Sequence, residues 1–335
     1  LIVEPVGRNT APALTLAALY SMRAGKDQTL ISMHSDHLIR DITSFQNAVD
    51  VGRSTAEAGY IVTLGVTPDA PETGYGYIRV GEDLEIPGHH FRSERKSHHE
   101  GSTPVEIGPR RLLTFVEKPD AETAESYLAS GEHLWNSGIF MMQASTWVSE
   151  VGRHSPEIGS ACQAAHNNGV LDTNFFRPGR DEFEYCPSDS IDYAVIEKGV
   201  AIPQSTDQVE YAVVPLYAGW SDIGSWSTLW EEREQDSHGN TIEGDVYTDS
   251  TKNSLLLAQH RLLAAVGMED VVVVETPDAV LVVHRDKVQD VKKVVNRLAT
   301  DGRTEREHHQ KVHRPWGTYE TVDTGAGFQV KRLTV

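Results

Sequence analysis

Basic residues and cysteines are scarce in this chain, and each scarcity excludes a class of protein. Lys and Arg number 30 against 49 Asp and Glu, which leaves a formal net charge of −19. Because no broad basic face can form, we expect no binding to a nucleic-acid polymer or to an anionic membrane. Cys162 and Cys186 are the only cysteines, too few for a secreted disulfide framework and without metal-ligand spacing. A cytoplasmic location is therefore expected.

Long apolar runs are also missing. The longest, such as Val271 to Val274 and Ala279 to Val283, fall far short of the roughly 20 residues that a membrane helix needs. The chain of 335 residues is long enough for a substantial core. It opens with Leu1-Ile2-Val3, without an initiator Met or a signal peptide. These residues have the composition of a buried strand, so we expect the chain to be a fragment.

Helical and strand patterns alternate through the first part of the chain. Thr10 is a candidate N-cap for a first helix, strand character follows from Thr29 to Met33, and a helix is expected from about Ile42 to Ala58, before a strand from Tyr60 to Val66. Such alternation predicts parallel strands with helical crossovers. We therefore expect an α/β, Rossmann-like domain with a mixed, mainly parallel sheet.

The pattern changes past about Asn240 to short β segments. The last two, Val271 to Glu275 and Ala279 to His284, flank a turn and predict a hairpin. We predict three parts: the α/β domain at 1–238, a smaller β-rich domain ending in a helix at 239–300, and at 301–335 a linker with the start of an incomplete segment. The polar, histidine-rich stretch from Glu82 to Arg111 predicts a surface insertion.

Two aspartates follow apolar runs of strand character. Asp36 comes after Thr29 to Met33, and Asp222 after Val209 to Leu216. Open α/β sheets bind ligands beyond the carboxyl ends of their strands, and two carboxylates converging there would suit Mg²⁺ and a phosphate bound through it. An isolated loop aspartate more often caps a turn or a helix, so either residue taken alone favours that simpler interpretation.

Three further motifs place polar groups beside strands. Glu117 and Lys118 offer an acceptor for sugar hydroxyls and a charge for a phosphate, although a surface ion pair explains them equally well. Asn136 precedes Gly138 and a buried strand, as a sugar site would require, but Asn-Ser-Gly is also a good turn. Tyr75 and Gly76 allow a ligand close to the backbone, or simply open a strand.

Seven motifs in register resemble one family. EPVGRNTAPAL, SDH after a strand, PETGYGYIR, FVEKPD, WNSGIF, SIDYAVIEK and GWSDIGSW are similar to mannose-1-phosphate guanylyltransferase, also called GDP-mannose pyrophosphorylase, over nearly the whole chain. The final segment HRPWGTYETVDTGAGFQVKRLTV resembles the entry to the cupin-type mannose-6-phosphate isomerase domain of the long members.

The resemblance implies a nucleotidyltransferase that makes GDP-mannose and pyrophosphate from GTP and mannose 1-phosphate. It implies Mg²⁺ as the cofactor, held by Asp36 and Asp222, with Lys118 facing a phosphate as a third catalytic residue. The implied substrate-binding residues also include Glu117, Asn136 and the backbone of Tyr75 and Gly76. Asp192 falls in another family motif near the sugar pocket and could equally be structural.

Base selection can be argued from the first loop. Guanine presents N1–H and its 2-amino group side by side, and one carboxylate can accept from both, whereas adenine offers no such pair. Glu4 is the candidate carboxylate, and Arg8 and Asn9 share its loop, so all three are candidate substrate-binding residues. Stabilisation of the loop is an equally good interpretation of Glu4.

The chain departs from the family pattern at its start, because nothing in it matches the glycine-rich phosphate loop bearing Arg and Lys. We expect that loop upstream. Three alternatives stay open: a sugar-1-phosphate nucleotidyltransferase for another base or hexose, a catalytically silent nucleotide-sugar-binding fragment, and a bifunctional transferase and isomerase. A homo-oligomeric state is compatible with this sequence.

Overall fold

The chain divides into two compact units, Leu1–Asp222 and Ile223–Val335. The computed structural model describes residues 1–23, 25–88, 93–94, 105–106, 108–202, 209–303, 311–314, 317–325 and 327–334. Most of the histidine-rich stretch expected as an insertion lies outside these residues. The division at 238/239 and 300/301 stays a prediction.

The first unit alternates helices with strands. Its helices are α1 Thr10–Met22, α2 Ile42–Glu57, α3 Ala121–Ser130, α4 Ala144–His154, α5 Pro156–Asn167, α6 Arg180–Glu184 and α7 Glu197–Ala201, with a π-helical turn at Asp192–Ile196 before α7. Its strands are β1 Thr29–Ser32, β2 Leu38–Ile39, β3 Ile61–Val66, β4 Gly76–Asp83, β5 Ser93–Glu94, β6 Val105–Glu106, β7 Arg110–Glu117, β8 His133–Gln143, β9 Val170–Asp172, β10 Phe175–Arg177, β11 Tyr211–Pro215 and β12 Trp220–Ser221.

Six of these strands form one mixed sheet in the order β1-β8-β3-β11-β7-β4, which confirms the α/β class and the mixed sheet. Four of the strands share a direction, but β3 and β11 are the one parallel pair of neighbours among the described strands of this sheet. The expectation of mainly parallel pairing is therefore wrong. The expectation fails because β8 inserts antiparallel between β1 and β3, and β7 inserts antiparallel between β11 and β4. Alternation of helices and strands along the chain does not reveal these insertions.

Helices cover both faces of this sheet. Successive strand residues point to opposite faces, so Phe140 packs with Trp147 of α4 and with α1 in one core, while Met141 packs with Ala48 of α2 in the other. Strands that are buried on both sides read as nearly continuous apolar runs. This explains the burial of all but the last residue of β3.

The structure differs from three local expectations. Asp120 caps α3 through Thr123 N–H, but the N-cap of α1 is Asn9 and not Thr10, since the Asn9 side chain accepts from Thr10 N–H. Strand β8 begins at His133, so Asn136 to Gly138 lie inside a strand and not in a turn before it. The expected buried strand at Leu1 is also wrong, because Leu1 is 81% exposed and Ile2 makes only an isolated bridge to Phe176.

The second unit is rich in β structure. Its four-stranded sheet has the order β13 Thr241–Asp249, β14 Leu255–Val266, β15 Val271–Glu275 and β16 Val280–His284, followed by a 3-10 turn at Arg285–Asp290 and helix α9 Val291–Thr300, with α8 Trp226–Glu232 ahead of the sheet. The last two strands are antiparallel, which confirms the predicted hairpin, while the first three are parallel. A separate antiparallel sheet contains β17 Lys311–Arg314, β18 Gly317–Gly325 and β19 Phe328–Thr334.

Across the described ranges, we find no helix with the length and apolar character that crossing a membrane demands.

The packing of β8 supports a stability prediction. Phe140 is 2% exposed within the first core, so Phe140→Ala should lower the free energy of unfolding by about 3–5 kcal/mol through lost burial and a residual cavity. Urea unfolding of the two proteins measures the difference. Val170→Ala, at a side chain that is 63% exposed, is the control and should change it by less than about 0.5 kcal/mol. Equal effects of the two substitutions would contradict this packing.

Candidate active site

A two-stranded ribbon brings the two predicted metal carboxylates to one place. Strands β2 and β12 pair antiparallel, with Leu38 opposite Ser221. His37 directly precedes the first of these strands and Asp222 directly follows the second, so both lie at the same end of the ribbon. Asp36 and Asp222 both act electrostatically on the His37 imidazole. Residues far apart in sequence therefore converge on one side chain.

His37 is oriented by the indole of Trp220. Trp220 Nε1 donates to His37 Nδ1 at 3.1 Å, so the proton of the neutral ring lies on Nε2. Burial lowers the pKa of His37, the neighbouring His34 adds to that effect, and the carboxylates Asp36 and Asp222 oppose it. His34, Asp36 and His37 each have one possible metal-ligand atom, and these three atoms lie within 4.8 Å of one another. This corner of the site therefore brings one carboxylate together with two imidazoles.

Tyr75 fixes the carboxylate of Asp222. Its hydroxyl donates to Asp222 Oδ1 at 2.6 Å, and its ring meets Trp135 and Trp220 edge-on at centroid distances of 5.0 and 5.6 Å. Burial, together with this hydrogen bond, raises the pKa of Tyr75 well above its usual range. The hydroxyl therefore stays protonated and remains a donor. This role was not expected from the sequence, which implied a ligand contact only for the backbone of Tyr75.

Asn136 lies at the centre of a polar network inside the sheet. Thr63 Oγ1 donates to Asn136 Oδ1 at 2.8 Å, Gly138 N–H donates to the same oxygen at 3.2 Å, and Asn136 Nδ2 donates to Asp192 Oδ1 at 2.9 Å. These contacts define the orientation of the amide. They use both lone pairs of its oxygen and one of its two N–H groups, and the other N–H is not engaged in them.

Asp192 belongs to the π-helical turn Asp192–Ile196. Burial raises its pKa to about 6, and the negative charge of Glu117 adds to the rise, while the bond from Asn136 and the charge of Lys118 oppose it. Turns of this type are rare and are frequent at functional sites. The carboxyl of Asp192 therefore titrates near neutral pH beside the amide that it orients.

Glu117 and Lys118 form an ion pair at the end of β7. Lys118 Nζ lies 2.8 Å from Glu117 Oε1, with side-chain exposures of 55% and 9%. The hydrogen bond to Glu117 raises the pKa of Lys118. Lys118 N–H also donates to Tyr75 O at 3.2 Å, which joins this pair to the aromatic side of the site.

Two glycines keep space open around these groups. A Cβ at Gly76 would lie 2.5 Å from Glu117 Oε2 and 3.3 Å from Asn136 Cβ. Gly138 has a φ of 71°, and a Cβ there would lie 2.9 Å from His34 Nε2. Any side chain at either position would displace site groups, so the glycines permit a ligand or a neighbouring side chain to approach the backbone.

The loop that carries Glu4, Arg8 and Asn9 forms a separate part of the arrangement. Burial raises the pKa of Glu4, and within the described chain its buried Oε1 has no hydrogen-bond partner. Arg8 donates to Glu184 O, and the side chain of Asn9 caps α1. Thr10 Oγ1 accepts from Ile191 N–H at 2.9 Å. The loop is thereby tied to the segment just before Asp192.

The structure thus assembles two connected groups of predicted residues. Asp36, Asp222 and Tyr75 form the first, and Gly76, Glu117, Lys118, Asn136 and Asp192 form the second, with Tyr75 in contact with both. His37, Trp220 and Thr63 were not among the site residues expected from the sequence. His37 directly follows Asp36, and Thr63 is a lone polar residue in an apolar strand, so both carried a weak signal. The functional roles of all these residues remain predictions.

Family models match the chain in three consecutive parts. They describe a nucleotidyl transferase over residues 1–239, a mannose phosphate isomerase/GMP-like β-helix domain over 244–298, and a mannose-6-phosphate isomerase C-terminal domain over 301–335. The chain therefore belongs to the nucleotidyl transferase family. Members of this family generally use a divalent metal.

Curated relatives match over the entire chain. The xanthan biosynthesis protein XanB of Xanthomonas campestris pv. campestris is 49% identical, and the mannose-1-phosphate guanylyltransferases of Salmonella montevideo and Escherichia coli are 46% and 44% identical. Each alignment covers 100% of this chain and 65% of the relative. The chain thus spans just under two thirds of the length of these proteins.

A solved structure with the same architecture is described as a mannose-1-phosphate geranyltransferase from Thermus thermophilus. It superposes with a TM-score of 0.68 at 28% identity, covering 89% of this chain and 77% of that one. A structure described as a mannose-6-phosphate isomerase from Helicobacter pylori has a TM-score of 0.51 at 28% identity and covers 66% and 73%. The first of these structures, together with the family model over residues 1–239, confirms the nucleotidyltransferase fold.

The titration of Asp192 gives a stability prediction. The pKa of Asp192 is about 6 in the native state and about 3.9 in the unfolded chain. Between these pH values the native state binds more protons than the unfolded state. The free energy of unfolding therefore falls as the pH rises from about 4 to 6. Each pKa unit corresponds to about 1.4 kcal/mol, so the loss is at most on the order of 3 kcal/mol. Asp192→Asn keeps an acceptor for Asn136 and removes the charge.

This variant should match the wild type near pH 4 and exceed it in free energy of unfolding at pH 7, as measured by denaturant titration at each pH. The difference between the two proteins cancels all other titrating groups. Asp172→Asn, at a side chain that is 58% exposed, is the matched control. A constant difference between Asp192→Asn and wild type across this range would contradict the raised pKa.

Proposed function

We propose that the chain forms GDP-mannose and pyrophosphate from GTP and mannose 1-phosphate, in the cytoplasm, using its 1–238 part as the nucleotidyltransferase domain. The observation that carries the proposal is the convergence of Asp36 and Asp222 on His37 next to the Asn136 network. The guanylyltransferase names of two relatives support the choice of substrates. The names of XanB and of the alginate biosynthesis protein AlgA from Pseudomonas aeruginosa, at 40% identity, support a role in polysaccharide synthesis.

The proposed reaction needs little proton transfer from the protein. A phosphate oxygen of mannose 1-phosphate forms the new bond to the α-phosphorus of GTP, and the bond between the α-phosphorus and the bridging oxygen breaks as pyrophosphate leaves. Catalysis then rests on in-line positioning and on neutralising charge. Lys118 would face a phosphate, an assignment that requires it to turn from Glu117, and its 55% exposed side chain leaves room for that rotation.

The sugar would lie against the second group of residues. The N–H of Asn136 that is not engaged by Asp192 can donate to a sugar hydroxyl, and Glu117 Oε2 can accept from one. The backbone at Tyr75 and Gly76 would lie beneath the ring, because Gly76 leaves no side chain in the way. Asp192 would act mainly by holding the amide of Asn136.

Mg²⁺ is the divalent ion that we propose for Asp36 and Asp222. The fit is supported by two carboxylates that both act on His37, with Asp222 oriented by Tyr75, since Mg²⁺ prefers oxygen ligands and keeps several waters. When bound, the ion would neutralise phosphate charge. His37 is a poor ligand in this arrangement, because its Nδ1 already accepts from Trp220 and its Nε2 carries the proton.

Guanine recognition is proposed for Glu4. Its buried Oε1, without a hydrogen-bond partner in the described part of the chain, is an acceptor of the kind that the paired donors of guanine would satisfy. Arg8 and Asn9 would contribute from the same loop. Each already has a protein contact through Glu184 O or Thr10 N–H, so their part is to shape the loop around the base.

Asp222→Asn tests the catalytic assignment. The substitution keeps an acceptor for Tyr75 and removes the charge, so kcat for GDP-mannose formation should fall on the order of 10²–10³-fold, as measured by pyrophosphate release from the protein expressed from its complete reading frame. Asp50→Asn, at a 72% exposed side chain, is the control and should leave kcat unchanged. A normal rate in Asp222→Asn with intact circular dichroism would remove Asp222 from the mechanism.

Glu4→Gln tests base selection. Gln has one acceptor oxygen and an NH₂ group where Glu has two negatively charged acceptor oxygens, so it cannot accept from both guanine donors in the same way. We expect kcat/KM for GTP to fall about 10–100-fold, while the low value for ATP changes little. Steady-state assays with both nucleotides measure the ratio. Glu157→Gln, in the exposed first turn of α5, serves as the comparison. If the ratio of GTP to ATP use is unaltered, Glu4 does not read the base.

The same assays separate the alternatives. Product formation with another nucleoside triphosphate or hexose 1-phosphate, and none with GTP and mannose 1-phosphate, would favour a related transferase. Binding of GDP-mannose without turnover would favour a silent binding protein. The match of residues 301–335 to an isomerase domain makes mannose-6-phosphate isomerisation a further activity to assay.

A further inference from the structure

The two cysteines face each other in the core of the first unit. Cys162 lies in α5 and Cys186 follows α6, and their Sγ atoms are 3.8 Å apart. Both are free thiols, with exposures of 0% and 1%. Residues 1–335 contain no other cysteine, so within this segment each thiol has the other as its one possible disulfide partner.

The thiol pair lies against the loop proposed to bind the base. Cys162 Sγ is 3.7 Å from Pro12 O in the first turn of α1. Arg8 donates to Glu184 O, two residues before Cys186. The carboxylate of Glu4 acts electrostatically on both sulfurs, and the guanidinium of Arg8 acts on Cys186. Any movement of the sulfurs is therefore transmitted to residues 4–12 through these contacts.

The pKa values of the two thiols are shifted in opposite directions. The hydrogen bond from Cys162 lowers the pKa of Cys186, and the positive charge of Arg8 acts in the same direction. The pKa of Cys162 is raised by its contact with Cys186 and by burial. Because the thiolate is the nucleophile, Cys186 is the sulfur that attacks first and Cys162 is the one that resolves.

We propose that Cys162 and Cys186 form a reversible disulfide when the protein meets a peroxide, and that this linkage weakens nucleotide binding at the Glu4–Arg8 loop. The thiolate of Cys186 attacks one oxygen of hydrogen peroxide, which breaks the O–O bond, leaves a sulfenic acid on Cys186 and releases hydroxide. The sulfur of Cys162 then attacks the sulfenic sulfur, the S–O bond breaks, and a second hydroxide leaves. The protons of the two thiols convert both hydroxides to water.

Structural change follows from bond lengths. A disulfide joins its sulfurs at about 2.05 Å, so the pair must close by more than about 1.5 Å from its present separation. Closure draws α5 towards the segment after α6 and disturbs the contacts to Pro12 O and to Glu184 O. Hydrogen peroxide is about the size of water and can reach a buried thiol during local opening, whereas large oxidants react slowly. Transient disulfides of this kind occur in the cytosol as redox sensors.

Peptide mapping tests the linkage independently of the proposed function. The reduced protein, expressed from its complete reading frame, is treated with hydrogen peroxide under native conditions. Free thiols are then alkylated in denaturant and the digest is analysed by mass spectrometry without reductant. We expect a peptide pair joined through Cys162 and Cys186 that dithiothreitol separates. Cys162 and Cys186 both found alkylated after treatment, or a linkage between them that forms only in denaturant, would overturn the proposal.

Single substitutions test the order of attack. Cys162→Ser should leave Cys186 as a sulfenic acid that reacts with dimedone, whereas Cys186→Ser should leave Cys162 unmodified over the same time. Both variants should keep the unfolding midpoint of the reduced wild type to within a few degrees, since serine is close in size. Equal labelling of the two variants would contradict the assignment of Cys186 as the attacking sulfur.

The coupling to the nucleotide is read separately and rests on the proposed function. The oxidised protein should show a KM for GTP several-fold above that of the reduced protein, restored by dithiothreitol, while the double variant Cys162→Ser/Cys186→Ser should be unaffected by peroxide. A disulfide without a change in this KM would overturn the coupling alone. Absence of GTP turnover in the reduced protein would instead count against the proposed function, because the peptide map is unaffected by it.

Discussion

The pairing of β2 with β12 is the constraint on which the candidate site depends. Each strand has two residues, so the ribbon itself contributes few hydrogen bonds. Its position is defined by what surrounds it, since Arg40 and Asp41 N–H groups donate to Ala218 O and Trp220 donates to His37. Without this register, Asp36 and Asp222 would be two unrelated loop acids, and the common interpretation of such residues as turn caps would hold for both.

A buried amide imposes the second constraint. Asn136 is 8% exposed inside a sheet, and a polar group in that position is costly unless it is hydrogen-bonded. Most of the hydrogen-bonding groups of Asn136 are satisfied by Thr63, Gly138 and Asp192. The pairing of β3 with β8 continues past Asn136 with a register shift. The network therefore explains why a strand tolerates these polar residues, and it leaves a donor in a defined direction.

Local features of the fold could be predicted from the sequence, and long-range ones could not. Helix α2, the Asp120 cap of α3 and the hairpin of β15 and β16 each depend on periodicity or on residues close in sequence. The insertion of β8 between β1 and β3 depends on packing between segments far apart, and no periodic signal encodes it. This is why the parallel pairing was overestimated.

The candidate site shows the same division. Short motifs made four of its residues recognisable, namely Asp36, Asp222, Glu117 and Asn136. The hydroxyl contacts of Tyr75 with Asp222 and of Thr63 with Asn136 join residues that are 147 and 73 positions apart. Such contacts arise only once the sheet is assembled.

Charge balance links these constraints to the chemistry. The candidate residues include five carboxylates, at Glu4, Asp36, Glu117, Asp192 and Asp222, but only two basic side chains, Arg8 and Lys118. Lys118 is already paired with Glu117, and the raised pKa of Asp192 removes only part of the negative charge near neutral pH. Phosphate groups brought to such a site repel it unless positive charge accompanies them. For the proposed phosphorylated substrates, a site of this composition would therefore need an accompanying cation, and the carboxylates of Asp36 and Asp222 are the ligands proposed for it.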